Sequence, residues 1–122
     1  MPRFVVLLHE MPAGTLRPTH YDLMFEQSGV LWTWAVENLP TAGESQRADR
    51  LPDHRVAYLE YEGELTGGRG HVRRIDAGQY ELLTQSPAEI VLQVHGQQLV
   101  GILTLALLTD EPYRWRVALS GG

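Results

Sequence analysis

Apolar and polar positions along this chain alternate with period two or merge into short apolar runs, and turn chemistry separates the runs. Phe4 to His9 reads as a strand, and Met11 to Thr19, with two prolines and a glycine, as a loop. Thr19 to Glu26 is a second strand, Ser28-Gly29 a tight turn, and Val30 to Glu37 the strand that completes a hairpin. Leu39 to Asp53, rich in Pro, Ala, Gly and charge, reads as a long connection with at most a helical turn near Glu44 to Arg50. Further strands are predicted at Val56 to Tyr61, Gly70 to Ile75, Gln79 to Thr84, Ile90 to His95, Leu99 to Leu107 and Arg114 to Leu119. Asp76-Ala77-Gly78 is read as the turn between the second and third of these. Eight or nine short strands with almost no helix predict an all-β sandwich or small barrel, with the barrel favoured.

At 122 residues the chain is expected to form one domain, 1–122, large enough to bury a core unaided. It has no cysteine, so any metal must sit on His, Asp or Glu. The apolar run Ile102 to Leu108 is far too short to span a bilayer, and Phe4 to Leu8 is too short for a secretory signal. The sequence therefore predicts a cytoplasmic protein with no membrane partner. Its net charge of -5 argues against a general nucleic-acid coating function. All ten basic residues are arginine, six of them between Arg47 and Arg74; codon bias in a GC-rich genome explains this as readily as phosphate binding does.

On the second strand His20, Asp22, Met24 and Glu26 share one face, and Tyr21, Leu23 and Phe25 share the other. With the apolar face in the core, the His/Asp face turns to a cleft or to solvent. A solvated polar face explains the pair equally well. His9 ends the preceding strand, where it breaks a pattern apolar on both sides. If the two strands are neighbours, His9, His20 and Asp22 make a two-histidine, one-carboxylate set that suits a first-row divalent metal with open positions. His54 and Tyr58 follow the Leu51-Pro52-Asp53 loop. They either cap a turn or form a pair that donates hydrogen bonds to phosphate oxygens, His54 doubling as a general acid. His71 and His95 are assigned to the surface, Trp32 and Trp34 to the core or a groove wall, and Gly67-Gly68-Arg69-Gly70 to a hairpin turn.

The ordered set Phe4-Val5-Val6, His9, His20-Tyr21-Asp22-Leu23, Trp34-Ala35-Val36, Asp53-His54, Tyr58 and Tyr61-Glu62-Gly63, with Asp76 to Tyr80 beyond, resembles the 3′-phosphoesterase domain of bacterial DNA ligase D and its small stand-alone relatives. The resemblance spans nearly the whole chain. It implies a compact β-barrel with a manganese-dependent site that trims blocked nucleic-acid 3′ ends during double-strand-break repair, alongside end-joining repair proteins. By position it makes His9, His20 and Asp22 the metal ligands and gives His54 and Tyr58 the scissile phosphate. One position departs: the family's phosphate-gripping arginine is Met24 here, and Arg47, Arg50 and Arg55 are the candidates to replace it. The loop between His9 and His20 is also longer than the family pattern. Two other readings stay open at this level: an end-binding module that has lost catalysis, and a structural, partner-binding β domain.

Overall fold

The computed structural model describes residues 1–121. Nine strands run in the order β1 (Arg3–Glu10), β2 (His20–Gln27), β3 (Val30–Val36), β4 (Ser45–Arg55), β5 (Gly63–Glu64), β6 (His71–Ser86), β7 (Glu89–His95), β8 (Val100–Leu107) and β9 (Arg114–Ser120). Hydrogen bonding joins them as β1-β2-β3-β4-β9-β8-β7-β6, and β6 pairs back onto β1, so eight strands close into a ring. The two-residue β5 hangs on β6. The all-β expectation holds, and among the described residues no helix is long and apolar enough to cross a membrane.

The β2–β3 hairpin turns at Ser28 and Gly29, both at positive φ (53° and 84°), the twist a two-residue hairpin requires. Leu23, Phe25, Trp34, Tyr80, Leu103 and Leu105 fill the ring from inside together with Phe4, Leu92 and Trp115. Phe25 meets Trp34 and Tyr80 edge to face, with ring centroids 6.0 and 5.5 Å apart.

Three expectations are corrected. The stretch from Ser45 to Arg55 is not a connection but the eleven-residue β4, bound to β3 on one side and β9 on the other. Val56–Leu59 is a single 3₁₀ turn rather than a strand, and it drops Leu59 onto the outer surface of the sheet. The predicted Asp76 turn lies within one sixteen-residue strand, β6. Buried Asp76 instead accepts hydrogen bonds from the backbone N–H groups of Gln97, Gln98 and Leu99, at 2.8, 3.0 and 2.7 Å, and so anchors the β7–β8 turn.

The 3₁₀ turn creates a second, smaller apolar layer outside the ring. Val5, Leu7, Met24, Leu31, Leu59 and Val72 are all buried there, with Tyr58 and Leu65 packed against them. The outer face of β1, β2 and β3 is therefore not a solvated surface. His9, His20 and Asp22 extend this covered face toward one end of the strands.

A candidate metal centre and the neighbouring His54–Tyr58 cavity

In the antiparallel β1–β2 register His9 sits opposite His20, and Leu7 opposite Asp22. Directly paired residues project to the same face, so the two imidazoles meet, with ring centroids 4.9 Å apart, and Asp22 follows one row along. One nitrogen or oxygen from each of the three residues lies within 4.8 Å of the other two, the one such group of three among the described residues. His20 and Asp22 are only 5 % and 2 % exposed.

The imidazole orientations are set from behind. His20 donates its Nδ1–H to the Pro18 carbonyl at 2.8 Å, and His9 donates its Nε2–H to the Arg69 carbonyl at 2.8 Å. Each ring turns its other nitrogen to the same carboxylate: His20 Nε2 stands 3.0 Å from Asp22 Oδ1, and His9 Nδ1 3.4 Å from Asp22 Oδ2. With neutral rings both contacts set lone pair against lone pair. His20 Nε2 and Asp22 Oδ1 are buried and lack any hydrogen-bond partner. Buried polar atoms are rarely left so, and a cation resolves both contacts at once. The same electrostatics act on protons. The Asp22 hydrogen bond raises the His9 pKa against the opposing effect of burial. Burial pushes Asp22 upward, but its contacts with His20 and His9 outweigh that and lower it.

The long loop between the two histidines is held by its own bonds. Thr19 Oγ1 accepts from the Met11 N–H at 3.0 Å, and the Thr15 hydroxyl reaches the Pro12 and Arg17 carbonyls. On the flank of His20 this loop walls a cleft of about 390 Å³, where Arg17 and Arg47 both pair with Asp49.

His54 and Tyr58 do not enter the three-residue cluster. On β4, His54 lies opposite Leu31, and its ring stands edge to face with Tyr58 at 5.8 Å between centroids. The Nδ1–H of His54 donates to the Pro52 carbonyl at 2.8 Å, and no hydrogen bond engages Nε2 among the described residues. Both residues line an open cavity of about 490 Å³ together with Arg55 and Arg69. Arg69 joins the two halves of the site, its carbonyl holding His9 and its side chain lining the His54–Tyr58 cavity.

Of the three candidate replacements for the arginine absent at position 24, only Arg55 lines that cavity. Arg47 is paired with Asp49 beside His20, and Arg50 lies over the rings of Trp34, Trp115 and Trp32 at 4.7, 5.4 and 5.8 Å. Reading the Gly67 to Gly70 run as a plain hairpin turn missed the part played by Arg69. The available signal was Gly70, at φ 83°, where a Cβ would stand 2.0 Å from the Glu10 carbonyl oxygen. Only glycine lets this segment approach the end of β1 closely enough to deliver a carbonyl to His9.

A sequence profile of the DNA ligase D 3′-phosphoesterase domain matches residues 9–106. The chain belongs to the DNA ligase D 3′-phosphoesterase domain family. It is 31 % identical over 129 aligned positions to the multifunctional non-homologous end joining protein LigD of Mycolicibacterium smegmatis, covering 93 % of this chain and 16 % of that protein. Identity to the protein of the same name from Mycobacterium bovis is 33 % over 108 positions, covering 81 % of this chain and 14 % of the relative. The chain thus spans about one-seventh to one-sixth of the length of these LigD proteins. All five residues singled out from the sequence, His9, His20, Asp22, His54 and Tyr58, fall within the stretch that matches the 3′-phosphoesterase domain.

Proposed function

We propose that this chain is a metal-dependent phosphoesterase that removes a 3′-phosphate or a 3′-ribonucleotide from nucleic-acid ends, in a DNA end-joining context. Family membership supports the reaction class and the context. The observation that carries the metal is the buried, partnerless pair His20 Nε2 and Asp22 Oδ1, with His9 completing the set. Two imidazoles and a carboxylate suit manganese or another first-row divalent ion. His9 Nδ1, His20 Nε2 and an Asp22 oxygen would hold it, and when bound it supplies charge neutralisation at a non-bridging phosphate oxygen.

The remaining work falls to the chain's own groups. His54, with Nδ1 fixed on the Pro52 carbonyl, presents Nε2 to the phosphate, where its protonated form hydrogen-bonds an oxygen or protonates the departing alkoxide. The Tyr58 hydroxyl orients the same group, and its ring stacks edge-on against His54 to fix the imidazole plane. Arg55 supplies the cationic contact that position 24 does not.

The test is hydrolysis of 3′-phosphate and 3′-ribonucleotide primer ends with and without manganese. Metal-dependent release by the parent is expected, with loss on His20→Ala and a fall of roughly 10²- to 10⁴-fold in kcat on His54→Ala. No metal-dependent release by the parent overturns the reading.

A further inference from the structure

Beyond the His54–Tyr58 cavity lies a second hollow of about 240 Å³, lined by Tyr61, Leu65 and Thr66. The two hollows share Arg55, Tyr58 and Arg69 among their walls, so they adjoin in one grooved region of the surface. Its floor is aromatic: His54 meets Tyr58 edge to face at 5.8 Å, and Tyr58 meets Tyr61 at 5.9 Å. Tyr61 is pinned by its hydroxyl donating to the Glu64 carbonyl, yet it remains 39 % exposed.

Arg55 and Arg69 are balanced in formal charge by Asp53 and Glu64 along the groove, yet among the described residues neither arginine is ion-paired. Among the described residues the Arg55 guanidinium has no hydrogen bond or ion pair, in contrast to Arg3, Arg17, Arg47 and Arg114, which are all paired with carboxylates. Arg69 is braced rather than neutralised, its Nε donating to the Thr66 carbonyl at 2.8 Å and its Nη2 to the Thr66 hydroxyl at 3.1 Å. Two carboxylates line the groove. Asp53, in the wider hollow, lies in the field of Arg50, and Glu64 lines the narrower one. An unpaired arginine and a braced one flanking a row of aromatic rings match a phosphodiester strand with unstacked bases.

We propose that this groove is a strand track, in which Arg55 and Arg69 clamp the backbone phosphates of a single-stranded segment next to the reacting 3′ end and Tyr61 stacks on a base. The identity of the ligand rests on the phosphoesterase reading; the track itself adds a substrate requirement, an unpaired strand of several nucleotides. Because the Arg69 carbonyl also holds His9, strand engagement and ligand alignment meet in one residue.

The experiment is fluorescence anisotropy with a labelled single-stranded oligonucleotide of about ten nucleotides, in chelator so that nothing turns over, across a salt series. Arg55→Gln and Arg69→Gln are each expected to weaken binding by roughly three- to tenfold at low salt. The double variant is expected to flatten the log K against log salt slope by about 1.4, the release expected for two single-strand phosphate contacts. Tyr61→Ala weakens binding without changing the slope. Arg116→Gln, which removes an exposed charge from β9, leaves both nearly unchanged. The track is overturned if the parent does not bind the strand, if the double variant keeps the parent's affinity and slope, or if Arg116→Gln matches it. A parent that binds the strand with this arginine dependence but releases nothing with manganese overturns the phosphoesterase reading and leaves the track standing.

Discussion

His20 Nε2 and Asp22 Oδ1 face each other across 3.0 Å in a buried setting, while His20 Nδ1 is engaged by the Pro18 carbonyl. A structural ion pair and a ligand pair awaiting a cation make opposite predictions here. Asp22→Asn replaces the carboxylate facing His20 Nε2 with an amide that can donate to it. Metal-free stability is expected to hold or to rise by up to about 1 kcal/mol in denaturant titration. The same variant should lose the manganese-induced thermal shift, which in the parent corresponds to about 2.7 kcal/mol at a hundredfold excess over Kd. A loss of several kcal/mol in the metal-free variant would mark the pair as structural.

Met24 is 1 % exposed within the outer apolar layer formed by Val5, Leu7, Leu31, Leu59 and Val72. Introducing at this position the arginine that the resemblance leads one to expect therefore carries a burial penalty in this chain. Met24→Arg should lower stability by about 2–4 kcal/mol, read from the denaturant midpoint. An unchanged midpoint would show that the new guanidinium escapes the layer.

Gly70 combines a left-handed backbone with a carbonyl oxygen 2.0 Å from where a Cβ would lie. Gly70→Ala is expected to cost about 2–4 kcal/mol of stability. It should also weaken manganese affinity, because the Arg69 carbonyl can no longer reach His9 undisturbed. Isothermal titration of manganese into Gly70→Ala and the parent checks the second effect separately from the first.

Arg50 is held over three tryptophan rings at the junction of β3, β4 and β9, and burial lowers its pKa against the opposing field of Asp53. Removing a guanidinium that both packs and attracts electrostatically should cost about 1–2 kcal/mol, so Arg50→Ala lowers the thermal midpoint. Arg50→Met, which keeps most of the packing, should recover part of the loss. Equal midpoints for the two variants would assign the whole contribution to charge.

Tyr80 is fully buried, donates its hydroxyl to the Glu26 carbonyl and lies 3.1 Å from Gln27 Oε1. Burial, reinforced by the Glu26 charge, raises its pKa to about 12. The unfolded chain releases this proton first, near pH 10. The contribution of Tyr80 to stability is therefore complete below about pH 10 and is lost progressively toward pH 12. Ultraviolet titration of phenolate absorbance should show a component near pH 12 that is absent in Tyr80→Phe. Tyr80→Phe should flatten the alkaline fall in stability.

The ring strands with alternating or continuous apolar residues were legible in the sequence, and so was the shared face of His20 and Asp22. The strand β4 was not, for a physical reason. Its inner positions include only Ala48 as a buried apolar residue, while Arg50 fills the next place through its contacts with tryptophans. A charged side chain doing the packing of an apolar one leaves no periodicity to read. Val56 to Leu59 misled in the opposite sense, because its apolar residues suggested a strand where Leu59 and Tyr58 serve to cover the outside of the sheet. That outer layer depends on a segment folding back across strands far from it in sequence. Pattern alone therefore could not show that the metal-ligand candidates would be buried, nor that Arg69 would meet His9.

His9 belongs to β1, which pairs with β2 on one side and with β6 on the other, and so sits in the seam where the sheet meets itself. Joining the first and sixth strands brings together residues from about sixty to about seventy-five positions apart, a long-range entropic demand on folding. The Arg69 carbonyl thus reaches His9 only once the circle is sewn shut, while His9, His20 and Asp22 all lie on β1 and β2, so a bound ion would act as a clasp between those two strands. Amide protons along these two strands should accordingly exchange more slowly when the clasp is fastened, well beyond the immediate reach of the ion.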